Sequence, residues 1–504
     1  MWNEKSLQEA INRRFGDHRL VIVSNRQPYS HQLREGRIVP QRAVSGLVAG
    51  LEPVAKACRA LWVAHGDGSA DQKVTDAHSI VGAPPDRPEF LLKRVWLTKE
   101  EVSGYYYGFS NEALWPLCHI AFVRPTFRAE DMEIYRQVNR KFADAILDEI
   151  GNEKAFVWIQ DYHFTLLPRY LKDARPDLVI GQFWHIPWPN PEVFRICGWR
   201  EEILDGLLAN DLLGFHLRYH ADNFLSTCSR EIDSHTDQDH TTVTRKGHRT
   251  RVQPFPMSVD FGSLSTDAAG DNVRELANRL AKELALENMI VIAGVDRVDY
   301  TKGIPERLLA ISRLLQKYPQ YKKRFVFVQV GAPSRVHIPK YKEMNDEISR
   351  LVEQINWEES VDGWEPIILL GRSLHYEATL ALYTLADVLL VSSLHDGMNL
   401  VAKEYVAAKN ELDGVLVLSQ FTGAAREFRN ALLINPFDRE GFADTIHQAI
   451  SMDHGEKQQR LQAMREYLAE MNIFNWASAF ITELTKFQVQ GETPHEASRS
   501  AVSV

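Results

Sequence analysis

The sequence predicts an α/β protein built as two Rossmann-like domains that face each other across an interdomain cleft. Three observations predict it. At 504 residues the chain is too long for one ordinary core. Short β-branched runs alternate with amphipathic stretches over most of the length, the pattern of parallel sheets covered on both faces. That alternation then restarts near residue 289.

Taken in order, Leu20–Ser24, Phe156–Ile159 and Leu178–Trp184 read as buried strands of the first domain. Met289–Gly294, Phe325–Val330, Ile367–Leu370, Val388–Ser392 and Gly414–Leu418 read as those of the second. Helical periodicity lies between them. Tyr135, Val138, Phe142, Ile146 and Ile150 share one face, as do Ile304, Leu308, Ile311 and Leu315. A polar stretch, Asp233–Thr250, and a strand-like Arg251–Met257 precede the restart, so the boundary is placed at residue 258, dividing 1–258 from 259–504. Residues 491–504 are polar and are expected to fray.

The bulk numbers exclude several classes. Apolar content of 44% and charged content of 25% are those of a globular protein, not a disordered or fibrous one. A net charge of −9 argues against a nucleic-acid partner and means that an anionic substrate needs a local cluster of Arg and Lys. Cys58, Cys118, Cys197 and Cys228 share no C-x-x-C spacing and read as reduced thiols, not a zinc site or disulfide frame. The start carries no apolar signal core, and no run of 18 apolar residues occurs, so no membrane partner and a cytoplasmic location are expected.

Four segments follow predicted strands and carry candidate chemistry. Ser24-Asn25-Arg26 leads through a loop to Ser45-Gly46, where backbone N–H groups at a helix start can face a phosphate; taken alone the signal is weak, since a glycine before a helix is usually a plain turn. The run is not G-x-G-x-x-G, which speaks against a nicotinamide enzyme. Asp161-Tyr162-His163 and His185-Ile186-Pro187 end successive strands and so become neighbours on one rim. A single histidine there is more often packed than catalytic. The third segment holds Arg297 and Lys302, spaced to neutralise a departing diphosphate beside the helix start at Gly303, so no metal is needed. The fourth places Asp396 and Gly397 before a helix starting near Met398 or Asn399, with Glu404 two turns in; Asp396 alone is equally an N-cap.

The run Asp396-Gly397-Met398-Asn399-Leu400-Val401-Ala402-Lys403-Glu404 resembles the signature of trehalose-6-phosphate synthases. The resemblance extends through Ser24–Arg26, Phe109–Pro116, Asp161–His163, His185–Pro187, Arg297–Gly303 and Leu418–Ala425, in order along the chain. It implies the GT-B architecture, with an acceptor-binding first domain, a nucleotide-sugar-binding second domain and C-terminal helices around Phe474–Phe487 crossing back to the first. It implies retaining transfer of glucose from a nucleotide diphosphate glucose, UDP favoured, to glucose 6-phosphate, in which the departing diphosphate itself helps remove the acceptor proton. The nucleotide sugar is a substrate, and no cofactor is implied.

The roles follow residue by residue. Arg297 and Lys302 hold the donor diphosphate, helped by the Gly46 loop and the backbone N–H groups of Asn399, Leu400 and Val401. Glu404 takes the ribose hydroxyls, and Asp396 those of the donor glucose. His185 lies at the reacting face, and Asp161 lies beside the acceptor. Arg26, Tyr106, Trp115 and Arg335 bind the acceptor, with Arg26, Tyr106 and Arg335 on its phosphate. Arginine suits that work because its fork makes bidentate hydrogen bonds to phosphate.

The chain departs from the family in three places. Ser45 replaces a second glycine, His395 replaces a common arginine, and Gln27–Val39 is a longer segment. The histidine makes donor binding more pH-dependent, or it only packs. Two other readings compete: a glucosylglycerol-phosphate synthase taking glycerol 3-phosphate, and a silent sugar-phosphate sensor. Dephosphorylation of the product is expected to fall to a separate phosphatase. Nucleotide preference among UDP, ADP and GDP is open, and so is assembly, a homo-oligomer included.

Overall fold

A computed structural model describes residues 2–15, 18–43 and 46–487. Among these a ten-stranded sheet carries the first part of the chain and a six-stranded sheet the second. From edge to edge the larger sheet runs His235–Asp237, Thr242–Arg245, His248–Pro254, Leu212–Phe215, Val179–Trp184, Ala155–Gln160, Arg19–Arg26, Leu61–His65, Phe90–Val95 and Ile80–Ala83. Its interior pairs are parallel, while both edges turn antiparallel. The smaller sheet runs Ile367–Leu370, Phe325–Ala332, Ile290–Arg297, Val388–Val391, Val415–Ser419 and Leu432–Ile434, with parallel pairing throughout.

Central strands such as Ala155–Gln160 and Phe325–Ala332 are buried along their whole length, which is why they read as continuous apolar runs. Two stretches differ from their sequence reading. Gln27–Val39 is not a loop: Tyr29–Arg34 and Arg37–Arg42 pair as an antiparallel hairpin, turned at Glu35 and Gly36 with φ of +48° and +76°. Asp233–Thr250, read only as a polar stretch, supplies the edge strand His235–Asp237 of the larger sheet, the strand Thr242–Arg245 beside it and the start of the next. All four cysteines are free; Cys118, Cys197 and Cys228 are buried, and Cys58 is half-buried.

Strand order fixes where ligands can enter. In the larger sheet the chain leaves Arg19–Arg26 toward one edge and later returns to its other side as Ala155–Gln160. In the smaller sheet it does the same around Ile290–Arg297 and Val388–Val391. Each reversal opens a crevice beyond the carboxyl ends of two neighbouring strands. The residues at or just past those ends are Arg26 and Asp161 in one lobe, and Arg297 and the His395–Asn399 turn in the other.

The lobes meet directly. The last described helix, Ile473–Leu484, packs on the larger sheet, with Phe480 stacked on Trp158 at 4.7 Å and Trp476 at 5.2 Å from the same ring. Gly397 lies so close to the other lobe that an added Cβ would stand 2.6 Å from the His185 carbonyl oxygen. No helix is long and apolar enough to cross a membrane among the described residues. Residues 491–504 and Ser45 lie outside the described residues.

Candidate functional site

On the first lobe, Asp161 terminates its strand in a backbone state (φ +72°, ψ 179°) that non-glycine residues rarely adopt. Its amide donates to the Phe183 carbonyl at 2.7 Å, and its carboxylate accepts the His185 amide at 3.1 Å. Burial pushes the Asp161 carboxyl up to about 7, against the pull of the Tyr162 and His185 amides and of Arg335. His185 is anchored through Nε2 to the Gln160 side chain at 2.9 Å, and burial lowers its pKa to about 3. It is therefore a neutral imidazole across the physiological range. The two strand-end motifs do become neighbours on one rim.

The acceptor candidates converge from four elements. Tyr106 comes from an underwound helix, Val102–Leu114, and Trp115 from the turn that continues it. Arg26 ends its strand, and Arg335 follows the strand Phe325–Ala332 in the opposite lobe. Burial alone would raise the Tyr106 phenol, but Arg335, Arg26 and Arg297 outweigh it and bring it down to about 8. Three arginines thus act on one hydroxyl. Arg335 lies 4.1 Å over the Trp115 ring, its side chain only 5% exposed, and reaches Tyr162 OH at 3.4 Å across the lobe boundary. Arg335 Nε and Trp115 Nε1 are buried without a partner.

On the second lobe, Arg297 ends its strand exposed to the cleft, where the surrounding walls and then Arg335 and Arg26 lower its pKa. Lys302 does not point into open space. Its Nζ donates to Asp396 at 2.6 Å, and the pair holds Lys302 charged and Asp396 ionised despite burial that opposes both. The N-cap of the helix Leu400–Ala408 is Asn399, whose side chain accepts the Ala402 amide at 2.9 Å; Asp396 is not the cap. The helix begins at Leu400, so the first-turn N–H groups of Leu400 and Val401 face the crevice end. Glu404 accepts from Tyr383 OH at 3.1 Å, and burial raises its carboxyl. Gly46 opens the helix Gly46–Cys58.

Two bracing residues lie inside strings already quoted, Asp161–His163 and Phe109–Pro116, where they had no role of their own. Tyr162 OH donates to Asn111 at 2.9 Å, and Asn111 in turn donates to the Tyr106 carbonyl at 2.6 Å, so the residues around the acceptor arginine are braced together. Tyr341, from a distant helix, hydrogen-bonds Asp299 at 3.0 Å. Spacing could have flagged Asp299, two residues past Arg297, but nothing local marks Tyr341. His395 bonds the His119 carbonyl at 2.6 Å between the lobes, and burial lowers its titration range. Packing, rather than a pH switch near neutrality, is the role this geometry supports. Among the described residues no three His, Cys, Asp or Glu side chains group as metal ligands.

The chemistry on offer is anion binding at two neighbouring points. A cluster of arginines faces one crevice, and a helix start with Arg297 and a lysine–aspartate pair faces the other. The comparisons with known proteins agree on one family. The model of glycosyltransferase family 20 matches residues 18–486. The trehalose-6-phosphate synthase of Mycobacterium bovis is 39% identical over 486 residues, covering 95% of this chain and 97% of that one. A solved structure named “trehalose-6-phosphate from E. coli bound with UDP-2-fluoro glucose” superposes with a TM-score of 0.83 at 31% identity, covering 93% of this chain and 99% of the other. An α,α-trehalose-phosphate synthase (UDP-forming) from Burkholderia xenovorans in complex with glucose-6-phosphate superposes at 0.82 with 30% identity, covering 92% and 99%.

Proposed function

The chain belongs to glycosyltransferase family 20, and from that premise we propose that it moves glucose from UDP-glucose to C1 of glucose 6-phosphate with retention, giving trehalose 6-phosphate and UDP. The observation that carries the proposal is the convergence of Arg26, Arg297 and Arg335 on Tyr106, at the meeting of the two switch-point crevices. A hexose phosphate brings nearly two negative charges to that point, and a nucleotide sugar brings its diphosphate to the next. Relatives that carry a UDP-glucose analogue and glucose-6-phosphate support the same pairing.

Each residue has a task in this reading. Arg26, Tyr106 and Arg335 grip the acceptor phosphate, Trp115 lines the hexose pocket, and Asp161 faces the acceptor. Arg297, Lys302, the Gly46 helix start and the Asn399–Val401 amides hold the diphosphate, with Glu404 on the ribose. Lys302 exchanges Asp396 for phosphate oxygens when donor binds, which frees Asp396 for the glucose hydroxyls. His185, neutral and fixed by Gln160, borders the reacting carbon. The bond from C1 to the diphosphate oxygen breaks while C1 bonds the acceptor hydroxyl oxygen on the same face. The departing diphosphate takes the acceptor proton. Arg297 and Lys302 supply the charge that a metal would otherwise supply, so no metal is required.

The same proposal sets the acceptor domain at 1–258 and the donor domain at 259–504, in a cytoplasmic enzyme whose product passes to a separate phosphatase. A matrix of UDP-, ADP- and GDP-glucose against glucose 6-phosphate and glycerol 3-phosphate tests it. Diphosphate release with glucose 6-phosphate and UDP-glucose is expected; preference for glycerol 3-phosphate, or no release with any pair, would overturn it.

A further inference from the structure

The geometry points to Asp299 as the residue that positions Arg335 for the acceptor phosphate and ties that grip to the donor loop, an inference that rests on the function proposed above. Asp299 stands between Arg297 and Lys302, the two cations of the donor site, and is almost wholly buried. Its two carboxylate oxygens do different work. Oδ1 accepts from the amide of Thr301 at 3.0 Å and from its hydroxyl at 2.9 Å, both within the donor loop. Oδ2 accepts from Arg335 Nη1 at 3.2 Å and from Tyr341 OH at 3.0 Å, while Arg335 Nη1 also donates to that tyrosine hydroxyl.

Arg335 needs a tether for two physical reasons. Its charge acts on the same phenol as those of Arg26 and Arg297, so repulsion would drive a free guanidinium outward. Its backbone also holds a φ of +48°, a left-handed state that a non-glycine residue keeps only when surrounding contacts fix it. Burial would raise the Asp299 carboxyl, but Arg335 and the Thr301 amide outweigh it and hold the group below the usual range, so it stays ionised. Nη1 donates to Asp299 and Tyr341, Nη2 gives one N–H to Tyr162 OH, and the plane lies over Trp115, so two of the five N–H groups stay unpaired, the second on Nη2 and the one on the buried Nε.

Asp299 touches neither reacting atom and acts through Arg335. The test compares the wild type with Asp299→Asn, Tyr341→Phe, Arg335→Ala and the double variant Asp299→Asn/Arg335→Ala. It measures kcat and KM for both substrates and UDP affinity by calorimetry. Asp299→Asn is expected to raise the KM for glucose 6-phosphate by ~10–100-fold, with UDP affinity within ~3-fold of wild type. In the Arg335→Ala background the same change should add almost nothing, because its target is gone. Effects that multiply in the double variant, or that strike UDP affinity equally, would overturn the inference. Tyr341→Phe keeps the ring 5.4 Å from the guanidinium and removes only the hydroxyl, so it decides the matter if Asp299→Asn does not fold. A selective rise in the same KM supports the tether, and an unchanged KM overturns it. A wild type that releases no UDP with glucose 6-phosphate overturns the functional reading and this inference together. An active wild type with unaffected variants overturns this inference alone.

Discussion

Tyr106 stands where the charges of Arg335, Arg26 and Arg297 overlap, and their sum makes its phenol titrate near 8. Below that pH the neutral hydroxyl can donate to a phosphate; above it the tyrosinate repels one. The KM for glucose 6-phosphate is therefore expected to climb as pH rises through 8, and Tyr106→Phe should remove that climb, which a pH series of initial rates will show. In the proposed reaction Arg297 faces the departing diphosphate. Replacing it with alanine should lower kcat/KM by roughly 100-fold or more, as loss of a donor aimed at developing charge does; steady-state assays at saturating acceptor check this. Arg26, Arg297 and Arg335 were legible because each lies at or within a few positions of a strand end; Tyr106, inside the helix Val102–Leu114, was reached only through the family resemblance. Tyr341 was not legible. Its bond to Asp299 spans 42 positions, and a tyrosine on an amphipathic helix looks like any other core residue until the fold brings it to the loop.

The elements follow the same division between what burial makes visible and what it does not. Ala155–Gln160 and Phe325–Ala332 could be read because both faces are covered, leaving unbroken apolar runs. The hairpin strand Arg37–Arg42 is exposed at every position, so no alternation separated it from a loop. The edge strand His235–Asp237 escaped for the related reason that an edge tolerates polar residues. At the turn before the helix Leu400–Ala408, Gly397 permits contact between lobes that any side chain would block. Gly397→Ala puts a methyl 2.6 Å from the His185 carbonyl oxygen, so the turn at Gly397 must retreat from the rim that carries His185. Activity is expected to fall by at least about tenfold while circular dichroism stays that of the wild type, a retreat of this kind being costly in reaction geometry. Unchanged turnover would show that the lobes do not need this approach.

For the whole molecule, the strand order of both sheets sets one switch point against the other, and the chain closes the arrangement by sending Ile473–Leu484 back onto the larger sheet. Phe480 is fully buried against Trp158, so Phe480→Ala should cost about 3–5 kcal/mol in urea unfolding, unless the helix contributes nothing to the first lobe. Two-lobe α/β architecture was legible from the restart of alternation near residue 289. The pairing of crevices was not, because strand order is a property of long-range contacts that no local periodicity reports. A crystal structure with UDP-glucose bound shows what the two lobes hold between them. The diphosphate is expected against Arg297, Lys302 and the amides of Leu400 and Val401, with Lys302 released from Asp396; a diphosphate bound elsewhere, with the Lys302–Asp396 pair intact at 2.6 Å, would overturn the proposed reaction.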